Sequence, residues 1–205
     1  TRVVCDLRKA NAAVRHLPGD LPGVHTVLRR LKPDWNWYCK MDLRNGFHRV
    51  PLAKDIRGCF AFGVNGKTYQ YKVLPQGWNL SPGIFHRVMM KICQGLGTMH
   101  YIDDLIVGAA TERQLEDKVK NTLQRLSRFG LQIQKKKFVY CQQKLPFLGY
   151  QLLPGGRVSV REFLEKRRKT LMTQPIQTKR DVQKVLGVFN VARHFVPELA
   201  KDRKS

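Results

Sequence analysis

Two aspartates stand side by side inside an apolar run, His100 to Ala110 (HYIDDLIVGAA). The chain has only 15 acidic residues against 38 basic ones, yet it places Asp103 and Asp104 where lost hydration makes a carboxylate most costly. Alone, the pair could simply be a turn, because aspartate hydrogen-bonds its own backbone there. A third carboxylate weakens that account: Asp42 ends another apolar segment, in Met41-Asp42-Leu43. Three carboxylates presented from one sheet repel each other unless a cation lies between them. All-oxygen ligation suits Mg²⁺, which takes one or two protein carboxylates and completes its octahedron with water and substrate phosphates. Two such ions held close together form the clamp used for in-line phosphoryl displacement.

Charge points to the matching substrate. The net charge of +23 runs along all 205 residues rather than in a tail, and self-repulsion on that scale is relieved by a polyanion. Nucleic acid is the leading partner; an anionic membrane comes second, with no basic amphipathic helix to support it. Joining or cutting phosphodiesters is then the chemistry, so the fork lies between polymerase and nuclease. The five cysteines, Cys5, Cys39, Cys59, Cys93 and Cys141, are scattered and never paired as CxxC. They argue against a zinc site or disulfide framework and for a reducing compartment. The histidines show no metal-ligand spacing and are read as structural. With no signal peptide or span-length apolar run, a soluble chain is expected, with no membrane partner. Its start at Thr1 suggests a fragment or a processed product.

The elements that must position these groups follow from periodicity and punctuation. Residues 36–43 and 58–74 read as extended, the second turning at Asn65-Gly66 as a type I′ hairpin. Ser81-Pro82 reads as N-cap and first-turn proline of a helix whose face carries Ile84, Phe85, Val88, Met89 and Ile92, ending near Gly95 and Gly97. HYIDDLIVGA is a hairpin candidate. Thr111, with Gln114 in the capping-box place, opens a helix striped by Leu115, Val119, Leu126 and Phe129 and ended by Gly130. LQIQKKKFVY (131–140) reads as extended, and FLGYQLLPGGRVSV (147–160) as a hairpin turning at Gly155-Gly156. From Arg161 the chain turns helical and basic, with Thr178 and Asp181 starting a helix that ends before Pro197. The expected class is α+β: a largely antiparallel sheet backed by helices up to about residue 153, then a small helical unit.

Several segments together resemble one family. YIDD (Tyr101–Asp104) resembles the YxDD box of reverse transcriptases, LPQGWNLSPGIF (Leu74–Phe85) their LPQG-x3-SP segment, and MDLRNGFHRVPL (Met41–Leu52) their first-carboxylate motif. RVVCDLRKAN (Arg2–Asn11) is similar to the fingers segment before it, FLGY (Phe147–Tyr150) to the primer-grip hairpin, and DVQKVLGVFNVARHFVP (Asp181–Pro197) to the first thumb helix. The blocks keep family order and spacing over nearly the whole chain, which makes the match far more specific than YxDD alone.

The resemblance, to retroviral and LTR-retroelement enzymes, implies a right-hand polymerase fold. Residues 1–40 would be partial fingers leading into the palm, 41–153 the palm with intervening fingers elements, and 154–205 a basic helical thumb. It implies an RNA-directed and DNA-directed DNA polymerase extending a DNA primer on an RNA or DNA template with dNTPs, using two Mg²⁺ ions (or Mn²⁺ in their place). Asp42 and Asp103 would be the shared metal ligands, with the Leu43 carbonyl as an added oxygen and Asp104 completing the triad more loosely. Phe47 falls where the family has its steric gate, although an aromatic in an apolar stretch is also simply core. Arg2 would grip triphosphate, a task that suits a forked and permanently charged donor. Gln76 would lie near the nucleotide sugar, and Ile102 and Tyr101 near the primer terminus. Gly149 and Tyr150 would contact primer, while Gln183, Gly187 and Val191 share one helix face that would track the minor groove. Lysine-rich runs at 135–137 and 166–169 are either solvated faces or phosphate contacts. Asp6 is read as a fingers residue and not a ligand. The family's upstream fingers, connection and RNase H segments have no counterpart here, and a dimer partner is a further expectation, as is a cytoplasmic, virion-core or virus-like-particle setting. Two alternatives stay open: a nucleic-acid-binding subunit or domesticated relic without turnover, and a metal-dependent nuclease, which Phe47 and Gln76 disfavour.

Overall fold

The computed structural model describes residues 5–14, 21–161, 164–165, 167–168 and 175–192. Its centre is a four-stranded antiparallel sheet in the order β4-β5-β1-β6. The strands are β1 (Trp37–Asp42), β4 (Thr98–Tyr101), β5 (Asp104–Ala109) and β6 (Val139–Gln142). β1 and β5 are buried along nearly their whole length, as expected of inner strands covered on both faces. One face packs Cys39, Met41, Leu105 and Val107 against helices α3 (Ser81–Ile92) and α4 (Glu112–Arg128), through Phe85, Met89, Leu115 and Val119. The other face packs Tyr38 and Ile106 with Trp35, Leu145, Phe147 and Leu152.

Leu145, Phe147 and Leu152 belong to a second sheet, β7 (Leu145–Phe147), β8 (Tyr150–Leu153) and β9 (Arg157–Ser159). The segment 147–160 thus makes two turns, at Leu148-Gly149 and at 154–156, where a single one was expected. Tyr38 ties the two sheets together, its hydroxyl donating to the carbonyls of Trp35 (3.0 Å) and Leu153 (2.7 Å). β2 (Ala61–Val64) and β3 (Lys67–Gln70) form a separate exposed hairpin around Asn65-Gly66, both residues at positive φ as a type I′ turn requires. Short helices α1 (Arg8–Ala12) and α2 (Val24–Leu28) precede the sheet, and α5 (Lys179–Ala192) follows it.

Four local expectations are corrected. Ser81 is not the N-cap of α3: Leu80 takes that place, and the buried Ser81 hydroxyl donates to the Pro75 carbonyl at 2.6 Å, tying helix to loop. Phe129 does not join the α4 stripe; the chain turns after Arg128, leaving Phe129 57% exposed while Leu131 returns to the core. Thr122 fills the stripe instead, its hydroxyl satisfied by the Lys118 carbonyl at 2.7 Å. Residues 58–60 close a 3₁₀ segment held by Arg57 donating to the Leu52 carbonyl, so the strand begins only at Ala61. Residues 131–140 are not one strand. Ile133 bridges to Leu43, a 3₁₀ turn follows at Lys135–Lys137, and pairing resumes at Val139 opposite Lys40.

The caps at Thr111 and Thr178 behave as read. Thr111 accepts from the Gln114 amide at 3.3 Å. Thr178 and Asp181 exchange hydrogen bonds at the start of α5. All five cysteines are free thiols, and among the described residues no helix is long and apolar enough to cross a membrane.

Candidate active site

Strand register decides the site. β1 and β5 pair antiparallel so that Asp42 lies directly opposite Asp104. Asp103 sits in the turn between β4 and β5, and its carbonyl accepts from the Leu43 amide at 2.9 Å, fixing the turn against the end of β1. Ile102, the other turn residue, holds φ of 54°, an uncommon conformation for a β-branched side chain. The chain bears that conformation in order to set two acidic residues at the strand end. All three aspartates line one cavity of about 1210 Å³, together with Leu43, Arg44, Asn45, Gln76, Gln132, Gln134 and Lys135–Lys137.

The electrostatics divide the triad. Lys137 donates to Asp42 Oδ2 at 2.8 Å, and Lys40 lies 3.7 Å from Asp42 Oδ1 and 3.1 Å from Asp104 Oδ1. Burial works to raise the Asp42 carboxyl, but hydrogen bonds from Lys137 and Asp104 and the nearby ammonium charges hold it below the usual range. Burial and the facing Asp42 carboxyl push Asp104 up despite Lys40. Among the described residues Asp103 makes no ion pair; burial, then Asp104 and Asp42, push it up to about 6 against the weaker pull of Lys137.

Two buried oxygens, Asp42 Oδ1 and Asp103 Oδ1, have no hydrogen-bond partner among the described residues. Hard, orphaned carboxylate oxygens on one basic cavity are what a divalent cation would satisfy, so the residues present fit one. They do not form a finished cage: among the described residues no three His, Cys, Asp or Glu side chains are arranged to hold an ion. The two lysines lie among the carboxylates instead.

The remaining expected residues spread outward. Gln76 lines the cavity and is exposed. Phe47 does not line it; the ring is buried and stacks on Phe85 with centroids 4.9 Å apart. Its neighbour Gly46 is closely packed, since a Cβ there would meet Phe85 Cζ at 2.6 Å and Asp103 Oδ1 at 3.0 Å. Tyr101 and Ile102 are half-buried beside the aspartates. Gly149 occupies the β7–β8 turn at φ 85°, and Tyr150 is buried with its hydroxyl 3.4 Å from His25 Nε2. On α5, Gln183 and Gly187 are exposed, whereas Val191 is half-buried and packs against the second core cluster. Arg2 lies outside the described residues, as does part of the run 166–169. Asp6 is engaged by Arg8 at 2.7 Å and is not among the residues that line the cavity.

Sequence reasoning missed Lys40 and the inward reach of Lys137. The signal for Lys40 was available, because residues two apart on a strand share a face and Lys40 precedes Asp42 by two.

An antiparallel sheet backed by helices, with carboxylates and lysines on one cavity, is a frame that a polymerase palm can use, and the family is shown directly. Residues 1–152 match the family model described as reverse transcriptase (RNA-dependent DNA polymerase), and the chain belongs to that family. It is 33% identical over 211 residues to the Gag-Pol polyprotein of Walleye dermal sarcoma virus, a match covering 97% of this chain and 12% of that polyprotein. The putative enzymatic polyprotein of Cassava vein mosaic virus is 32% identical, covering 98% of this chain and 31% of the relative. Among solved structures, a foamy viral protease-reverse transcriptase dRH in complex with ds DNA matches with a TM-score of 0.81 and 27% identity, over 98% of this chain and 35% of that one. The helices and antiparallel sheets therefore have the arrangement of a reverse transcriptase polymerase region, and the chain spans only part of each relative's length.

Proposed function

We propose that this chain is the polymerase part of a reverse transcriptase, an RNA-directed and DNA-directed DNA polymerase that extends a primer with dNTPs. The observation that carries this reading is the orphaned oxygen pair of Asp42 and Asp103 on a cavity walled by lysines. Asp42 and Asp103, with the Leu43 carbonyl, would hold two Mg²⁺ ions, with Mn²⁺ as a substitute, and Asp104 would complete the acidic set. Metals held there would supply Lewis acidity toward a 3′-hydroxyl and positive charge toward phosphate oxygens. The chain's own residues supply position. The β1–β5 register holds the carboxylates in place, and Lys135 and Lys136 line the route by which a triphosphate enters.

Gln76 on the cavity wall is suited to hydrogen-bond the nucleotide sugar, and Arg2 to grip triphosphate. Phe47 acts as the gate against a 2′-hydroxyl, its ring braced by Phe85. Tyr101 and Ile102 meet the primer terminus, and Gly149 and Tyr150 the primer strand. The exposed Gln183–Gly187 face of α5 follows the duplex; Gly187 has open space around it for backbone approach. The division into partial fingers (1–40), palm (41–153) and thumb (154–205) belongs to this reading, as do RNA template and DNA primer as partners and a cytoplasmic or virion-core setting.

Primer extension on an RNA template with dNTPs and Mg²⁺, beside Asp103→Asn, tests it. Removing one ligand of a metal that stabilises the transition state by several kcal/mol should lower the rate about a thousandfold. Duplex binding should stay intact and salt-sensitive. Binding without extension in the unmodified chain would favour a non-catalytic binding subunit instead.

A further inference from the structure

The two lysines among the carboxylates are not equivalent. Lys137 stands on an exposed 3₁₀ turn, its side chain 60% exposed, and reaches Asp42 from the cavity side. Lys40 is rooted in the middle of β1, with Cys39 paired to Val107 and Met41 to Leu105 on either side of it, and its side chain is 23% exposed. Strand alternation puts Lys40 and Asp42 on one face, and Asp104 is placed there by its pairing with Asp42. Like charges directly opposite across a ladder destabilise it, and the Lys40 ammonium lies against both. An ammonium on a long exposed side chain can swing away when another cation arrives. One rooted in an inner strand, less exposed and within ion-pair reach of two carboxylates, is held more firmly.

We propose that Lys40 is a positioning residue that claims Asp104 as a permanent partner. The labour of the triad is thereby divided: Asp42 and Asp103 are left for divalent cations, and the site binds them more weakly than three free carboxylates would. The proposal rests on the two-metal reading above. It makes Lys40 a specificity element, since an internal ammonium disfavours loose cation capture by the resting protein. The site then accepts cations chiefly when further phosphate oxygens accompany them.

The test is direct Mn²⁺ binding to the whole chain by titration calorimetry, without nucleic acid or nucleotide. Lys40→Met should bind Mn²⁺ about tenfold more tightly, as expected from removing a unit charge a few ångströms away in a partly screened site. Lys40→Arg, which keeps the charge, should stay within about twofold of the original chain. In an Asp104→Asn background the gain from Lys40→Met should be smaller than in the original chain, because the share that acts through that carboxylate is gone while the charge beside Asp42 is still removed. In chelator, Lys40→Met should melt at a lower temperature than the original chain and recover when Mn²⁺ is added. Should Lys40→Met fail to fold, Lys40→Gln takes its place. Unchanged or weaker binding in a folded, charge-removed variant overturns the proposal, provided Asp103→Asn still abolishes binding. Binding that is absent from both the original chain and Lys40→Met, or that survives Asp103→Asn, sinks the two-metal reading and this proposal together.

Discussion

At the scale of single residues, the site is a contest between burial and charge. Asp103 ionises against its surroundings, with a folded value of about 6 against an ordinary 3.8. A carboxyl whose folded value is raised binds its proton more tightly in the fold, so ionising it costs stability. That cost is absent below about pH 4, grows as pH rises through 6, and is then constant. In chelator, Asp103→Asn should therefore leave the melting temperature unchanged at pH 4 and raise it at pH 7. A difference between the two proteins is the right measurement because His100 titrates the opposite way. Burial, then His86, push His100 down to about 4, so its neutral form stabilises the fold and acid removes that contribution. Gly46→Ala is predicted to displace the Asp103 carboxylate or the Phe85 ring, lowering extension activity with little change in duplex affinity. The aspartates were legible in the sequence because carboxylates in apolar runs demand a reason. The pairing of Lys137 with Asp42 was not, since it depends on a turn that no periodicity announces.

At the scale of elements, β5 is the strand on which the site depends, and Gly108 shows why it sits where it does. A Cβ on Gly108 would collide with the Trp35 ring, and the Gly108 carbonyl accepts from Lys118 at 2.9 Å. Gly108→Ala should cost about 1–3 kcal/mol, read as a lower urea midpoint, because an overpacked core cannot give way on both sides. Thr111→Ala should cost about 1 kcal/mol through the lost cap of α4. Strands, helices and caps could be read from period and punctuation. What could not be read is the commitment of side chains to distant partners. Ser81 looks like a cap by type and position, yet its hydroxyl serves the Pro75 carbonyl. The 131–140 segment looks like a strand, yet it breaks at three lysines, where the Gln134 amide is taken by the Asp42 carbonyl at 2.8 Å.

At the scale of the whole molecule, charge sets the partner and its sensitivity. With +23 spread over 205 residues, duplex affinity should fall steeply with salt. If about six to ten phosphates are neutralised, the loss between 50 and 200 mM is about a thousandfold or more. Fluorescence anisotropy with a labelled primer–template over that range checks it, and a flat response would deny the polyanion its role. Within the molecule, several of the hydrogen bonds that tie the turn before β9 to the start of β1 converge on one carbonyl. The Trp35 carbonyl accepts from the Gly155 amide (2.9 Å), the Gly156 amide (3.1 Å) and the Tyr38 hydroxyl (3.0 Å). Pro154-Gly155-Gly156 has the composition of a mobile surface turn, yet its amides are tied to the buried end of the strand that carries Asp42. Its timescale should be that of the core. In deuterated water those two glycine amides should keep their hydrogens for as long as the central strands keep theirs, while the Asn65-Gly66 turn gives its own up early.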